Sequence, residues 1–112
     1  MIHINGDMDD REIVEKTIDG YLTIFGNRWN LLILYELFYG PKRFNELKRA
    51  LSPITQTVLT RHLKILEDNN MIDRIEVKGN TMSVTYVISK EGFTMIPPMV
   101  NSFNWINEHS AD

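Results

Sequence analysis

Gln56, Thr57, Thr60, Arg61 and Lys64 fall within the nine residues "QTVLTRHLK". In an α-helix turning about 100° per residue, Thr57, Arg61 and Lys64 share one face, with Gln56 and Thr60 beside them. These side chains suit the edges of DNA bases: a Gln amide can pair with adenine, an Arg guanidinium with guanine, and a Thr methyl can touch the thymine methyl. The plainer alternative is a solvent-facing helix surface, although threonine is a poor choice for helix propensity alone. The surrounding segment Pro41–Lys64 holds six lysines and arginines, Lys42, Arg43, Lys48 and Arg49 among them, against the single acid Glu46, in a chain of formal net charge -3. Asp7, Asp9, Asp10, Glu12, Glu15 and Asp19 crowd the N-terminal segment instead. Taken alone, a charge run reads equally as a solvated face, so its position must decide.

Other chemistry finds little support. His3, His62 and His109 lie far apart and lack carboxylates or cysteines at metal-ligand spacing, and "NEHS" is not the His-Glu-x-x-His of zinc hydrolases. No glycine-rich phosphate loop is present, and the serines and threonines have no neighbouring base. The expectation is a protein that is not an enzyme and needs no metal and no cofactor. His62 is expected beside the buried stripe of its helix or near a phosphate. With no cysteine, the chain has no disulfide, thiolate zinc site or thiol sensor, and the cytoplasm is the default compartment. The N-terminus is acidic where a signal peptide would be basic and then apolar, and the longest apolar runs fall short of the roughly 20 residues that span a bilayer. A soluble protein without a membrane partner follows.

The polar face must be held by something, and the pattern around it supplies the elements. No repeat, low-complexity tract or linker divides the 112 residues, which suits one domain. "REIVEKTIDGYLTIFG" places Val14, Ile18, Tyr21, Leu22 and Phe25 at helical spacing and ends at Gly26, a C-terminal cap. "RWNLLILYELFYG" is apolar on nearly every side, which predicts a central helix buried all round. "RFNELKRAL" turns Phe44, Leu47 and Leu51 inward and Arg43, Lys48 and Arg49 to water. After "SPI", Thr55 can N-cap a helix whose inner stripe is Leu59, Leu63 and Leu66. Two such helices form a helix-turn-helix, whose second helix lies in the DNA major groove. Strand-like runs over Ile72 to Val77 and Val84 to Ser89, with Ile75 and Val77, then Val84, Tyr86 and Ile88 alternating, surround a turn at Gly79-Asn80. This hairpin is a candidate wing, with Lys78 and Asn80 at its tip and Arg74 nearer its base. The expected fold class is mainly α with a small β-hairpin, a winged helix-turn-helix.

From about Gly26 to His109 the chain resembles the HxlR-type winged helix-turn-helix transcriptional regulators. The resemblance is carried by "GNRWNLLILYEL", "GPKRFNELKRAL", "ITQTVLTRHLKILEDNNMI" and "YVISKEGFTMIPPM", with Trp105 beyond. It implies a small homodimeric repressor or activator that binds a near-palindromic operator of double-stranded DNA through the helix at Thr55 to Asn69. Three departures stand out. The cysteine that the family often carries before its opening helices is missing around Thr17 to Phe25, which excludes a thiol switch in this chain. "GNTMSVTY" replaces the Pro-Pro common in the wing, and "NNM" replaces the usual glycine after the recognition helix, where Asn69 or Asn70 can adopt the left-handed cap.

The C-terminal segment should form a helix N-capped by Ser89, kinked or split at Pro97-Pro98, with Met95, Ile96, Met99, Val100, Phe103 and Ile106 on one face and Trp105 off it. Together with the first helix this is more apolar surface than a small monomer readily buries, and a dimer would cover it. Ile13, Thr17, Ile18 and Tyr21, with Met99, Phe103, Trp105 and Ile106, are the expected dimer interface. One domain over 1–112 would then comprise a dimerisation helix (1–26), the helix-turn-helix (43–69), the wing (72–89) and a second dimerisation helix (90–109). The six methionines leave a small-molecule effector open beside ordinary core filling. In the alternative functional class, a winged-helix module turns the same basic face to an acidic protein.

Overall fold

The computed structural model describes residues 8–110, so the acid at Asp7 and the histidine at His3 lie outside the described residues. In chain order it forms α1 (Met8–Phe25), α2 (Arg28–Phe38), β1 (Lys42–Arg43), α3 (Phe44–Ala50), α4 (Gln56–Asp68), β2 (Ile72–Val77), β3 (Ser83–Ile88) and α5 (Lys90–His109). Short polar side chains open three of the helices by accepting otherwise orphaned backbone N–H groups. Asn27 Oδ1 accepts from the Trp29 N–H at 2.8 Å, Thr55 Oγ1 from Val58 at 3.2 Å and Ser89 Oγ from Gly92 at 2.9 Å. At the far end of α4, Asn70 takes the left-handed conformation (φ 61°), the cap that the missing glycine required.

The core is a single cluster built on Ile33, Leu34 and Leu37 of α2, Leu47 of α3, the Leu59, Leu63 and Leu66 stripe of α4, and Ile72, Tyr86 and Ile88 of the sheet. Each fully buried leucine or isoleucine contributes about 1.5–3 kcal/mol of transfer free energy. The apolar girdle of α2 is not buried all round: Tyr35, Phe38 and the capping Tyr39 are all exposed, and Tyr39 packs edge-to-face on the other two. Three turns of helix in a chain this small have a core on one side only.

The sheet has three strands, in the order β1-β3-β2, all antiparallel. The third is the unexpected Lys42–Arg43 pair, which registers against Tyr86 and Thr85. In β2 only Ile72 is buried; Ile75 and Val77 lie on the opposite face of the strand from Ile72, paired with Thr85 and Ser83 away from the core, so their alternation turns them to solvent. Pro97 and Pro98 do not split the last helix: α5 runs through both. Its first turn comes so close to the sheet that a Cβ on Gly92 would meet the Met71 carbonyl oxygen at 2.2 Å. Only glycine fits there.

Candidate nucleic-acid interface

The buried stripe of α4 dictates which side chains face out. With Leu59, Leu63 and Leu66 held in the core, Gln56, Thr57, Thr60, Arg61 and Lys64 are all exposed along the opposite face, and among the described residues none covers them. Arg61 makes no ion pair among the described residues. Lys64 differs: its Nζ lies 3.0 Å from Asp68 one turn on, and the hydrogen bond to that carboxylate raises its pKa. A ligand phosphate would have to compete with Asp68 for Lys64, whereas Arg61 is available to a base or a phosphate.

Flanking elements add charge on both sides of this face. Lys42 and Arg43 are fixed by the β1-β3 pairing, and the Arg43 N–H donates to Glu46 Oε1 at 2.9 Å, which starts α3. Lys48 and Arg49 follow, exposed, in the last turn of α3. Arg43 and Arg49 line a cleft with Glu46, Met82 and Ser83, so the two arginines stand on one wall that faces the start of β3. Asn45 lines this cleft and the neighbouring one with Lys48 and Ser52. It was not singled out in the sequence because a lone asparagine beside four cations carries little signal. Lys78 and Asn80 are exposed at the hairpin tip. Arg74, by contrast, is engaged: it pairs with Glu76, and hydrogen bonds to Glu76 and Tyr86 raise its pKa.

Behind the polar face lies a buried polar pair. Asn30 is 0% exposed and His62 4%. The Asn30 amide donates to the carbonyls of Thr23 at 3.2 Å and Ile24 at 3.0 Å, which turns its Oδ1 towards His62 Nδ1 at 2.8 Å. An amide oxygen only accepts, so Nδ1 carries the proton. Among the described residues His62 Nε2 is buried without a hydrogen-bond partner. Burial, with the Arg61 charge adding to it, lowers the pKa of the ring and so favours its neutral form.

The terminal helices present apolar side chains to water. Ile13, Ile18, Tyr21 and Leu22 of α1, and Val100, Phe103, Trp105 and Ile106 of α5, are all exposed, and Thr17 lies among them with its hydroxyl donating to the Ile13 carbonyl. Met99 is the exception among the residues expected at this face: at 8% exposed it belongs to the core and supports the face from behind. Trp105 stands off the stripe and stacks on His109, ring centroids 4.3 Å apart. A cleft lined by Tyr21, Phe25, Leu31, Phe103 and Ile106, among others, joins the two helices. Among the described residues no group of three histidines or acids could hold a metal ion, and no helix is long and apolar enough to cross a membrane.

A helix-turn-helix with an uncovered polar second helix and an antiparallel hairpin beyond it defines the class: a winged helix-turn-helix protein of the transcription-regulator type. The HxlR-like helix-turn-helix family model matches residues 24–112, and the chain belongs to that family. It is 36% identical over 92 residues to the uncharacterized HTH-type transcriptional regulator YdeP of Bacillus subtilis (strain 168), covering 82% of this chain and 69% of that one. The HTH-type transcriptional regulator YodB of the same organism is 33% identical over 75 residues, 67% of each chain. The solved reduced form of YodB superposes with a TM-score of 0.79 at 28% identity, covering 86% of this chain and 96% of that one. The HTH-type regulator YtcD, also of B. subtilis, gives 0.77 at 33% identity over 82% and 94%.

Proposed function

We propose that the protein is a homodimeric, sequence-specific DNA-binding transcriptional regulator that represses by occupying a near-palindromic operator. One observation carries the reading: the exposed face of α4 bears Gln56, Thr57, Thr60, Arg61 and Lys64, and α3 and the hairpin tip carry the exposed cations Lys48, Arg49 and Lys78. Gln56, Thr57, Thr60 and Arg61 meet base edges; Lys42, Arg43, Lys48, Arg49 and Lys78, with Asn80 and the partly engaged Lys64 and Arg74, hold the phosphate backbone. The exposed apolar faces of α1 and α5 pair about a two-fold axis, which sets the recognition helices about 34 Å apart, in successive major grooves. The membership in a family of transcriptional regulators supports the DNA partner.

Selection of bound sequences from a random duplex library, with purified protein at near-physiological salt, tests this. Enrichment of an inverted repeat with half-sites about one helical turn apart is the expected result. A folded protein that enriches nothing would sink the reading and turn attention to an acidic protein as the partner of the basic face.

A further inference from the structure

We infer that Asn30 and His62 are positioning residues for sequence readout: their buried hydrogen bond ties the reading helix α4 to the end of α1 and so sets the height and rotation of Gln56, Thr57, Thr60 and Arg61. The inference rests on the DNA-binding function proposed above. The last carbonyls of a helix have no partner within it. In α1 those of Thr23 and Ile24 are taken by the two N–H donors of Asn30, whose oxygen in turn accepts from His62 at 2.8 Å. One amide thus joins three helices: α1 through two carbonyls, α2 through its own backbone and α4 through the imidazole.

The Asn30–His62 bond itself contributes little to stability. Replacing both members of a buried polar pair by apolar groups of similar shape is often close to neutral, because the desolvation of each group offsets most of what their bond returns. The pair even leaves His62 Nε2 buried and unbonded, a cost that a leucine would avoid. A directional bond contributes what leucine packing lacks, a defined distance and angle between helices. His62 is the neighbour of Arg61 in sequence, so a rotation of α4 about this bond moves the guanidinium directly, and α1 bears the outer apolar face. Phosphate contacts tolerate such a shift, whereas base contacts do not.

The test compares affinity for the selected operator and for a scrambled duplex of equal length, at one salt concentration, with each variant first shown by circular dichroism to be folded. His62→Leu keeps apolar volume and loses the donor; His62→Asn places an N–H donor the same number of bonds from the backbone as Nδ1. His62→Leu should weaken operator binding about tenfold, the scale of losing one base contact, and change scrambled-duplex binding by less than about twofold. His62→Asn should restore most of the preference. If His62→Leu is poorly folded, Asn30→Leu/His62→Leu, which removes the Asn30–His62 bond from both sides and leaves only the Thr23 and Ile24 carbonyls without their side-chain donor, is expected to show the same selective loss. An operator preference retained in the leucine variants, or lost equally in His62→Asn, overturns the inference alone. No preference in the unsubstituted protein overturns the functional reading and this inference together.

Discussion

Arg61 and Lys64 are both exposed cations on one helix face, and only their surroundings separate them. Lys64 is tethered to Asp68 in an exposed helical pair that solvent screens, so a base or phosphate must compete with that carboxylate for its charge. Arg61 has no such tether, so Arg61→Ala should weaken operator binding by about 1–3 kcal/mol and leave binding to random duplex nearly unchanged. Titration of both duplexes by fluorescence anisotropy checks this, and an equal loss on both would reassign Arg61 to a phosphate. His62 makes a prediction of opposite character, since its proton concerns folding. Its folded pKa lies below the ordinary 6.5, so the unfolded chain binds the proton first as the medium is acidified. The stability associated with the neutral ring is therefore complete above pH 6.5 and is lost as the pH falls from there through the depressed folded value. Chemical denaturation across that window should show stability declining in the unsubstituted protein and less so in His62→Asn, which has no titrating ring.

At the scale of elements, the wing and α3 flank the reading helix in different ways. Arg43 and Arg49 sit in a wall braced by β1, whereas Lys78 stands at an exposed tip beyond the paired strands. If the tip meets a phosphate, Lys78→Ala should reduce the slope of log K against log salt by about 0.9, with little change in sequence preference. An unchanged slope would remove the tip from the interface. Much of this organisation was legible in the sequence because it rests on local signals: the Leu59, Leu63 and Leu66 period, the Thr55 and Ser89 caps and the Asn-Asn terminus of α4 all mean the same thing in any context. The misread features depend on neighbours far along the chain. A two-residue strand at Lys42–Arg43 has no period, and it exists only because β3 offers an edge to pair with. Whether the apolar girdle of α2 is covered depends on how much protein surrounds it, which a helical pattern cannot state. Pro97 and Pro98 lie in the first half of α5, where a kink or a split was expected, and the helix is not split: it continues through both. Met99 shares its stripe with Phe103 and Ile106, but α5 leaves the core one turn later, so one is buried and the others are not. The Asn30–His62 bond joins residues 32 apart and leaves no periodic trace.

The whole molecule is too extended for its length. Its radius of gyration is 16.6 Å with extents of 58 × 37 × 24 Å, where a compact chain of about 100 residues has a radius near 13 Å. Its accessible surface of 8334 Å² exceeds by roughly 1,900 Å² the value of about 6,400 Å² at which monomers of 13.1 kDa cluster. That excess is more than twice the roughly 800 Å² that each partner gives up in a standard interface. Among the described residues neither α1 nor the second half of α5 contains a buried side chain, and their exposed apolar residues suit the proposed dimer interface. Tyr21 and Ile106 are 53% and 59% exposed and line the cleft between these helices, so a charge at either position costs the monomer little and the dimer a great deal. Tyr21→Glu/Ile106→Glu should therefore sediment at the mass of one chain, where the unsubstituted protein sediments at that of two, with helical content retained by circular dichroism. Because the two half-sites are bound as one unit only while the chains are joined, operator affinity should fall by about a hundredfold or more, and affinity for a single half-site should hold. An unsubstituted protein that sediments as one chain would remove the two-fold axis, and a variant that stays paired would place that axis on another face.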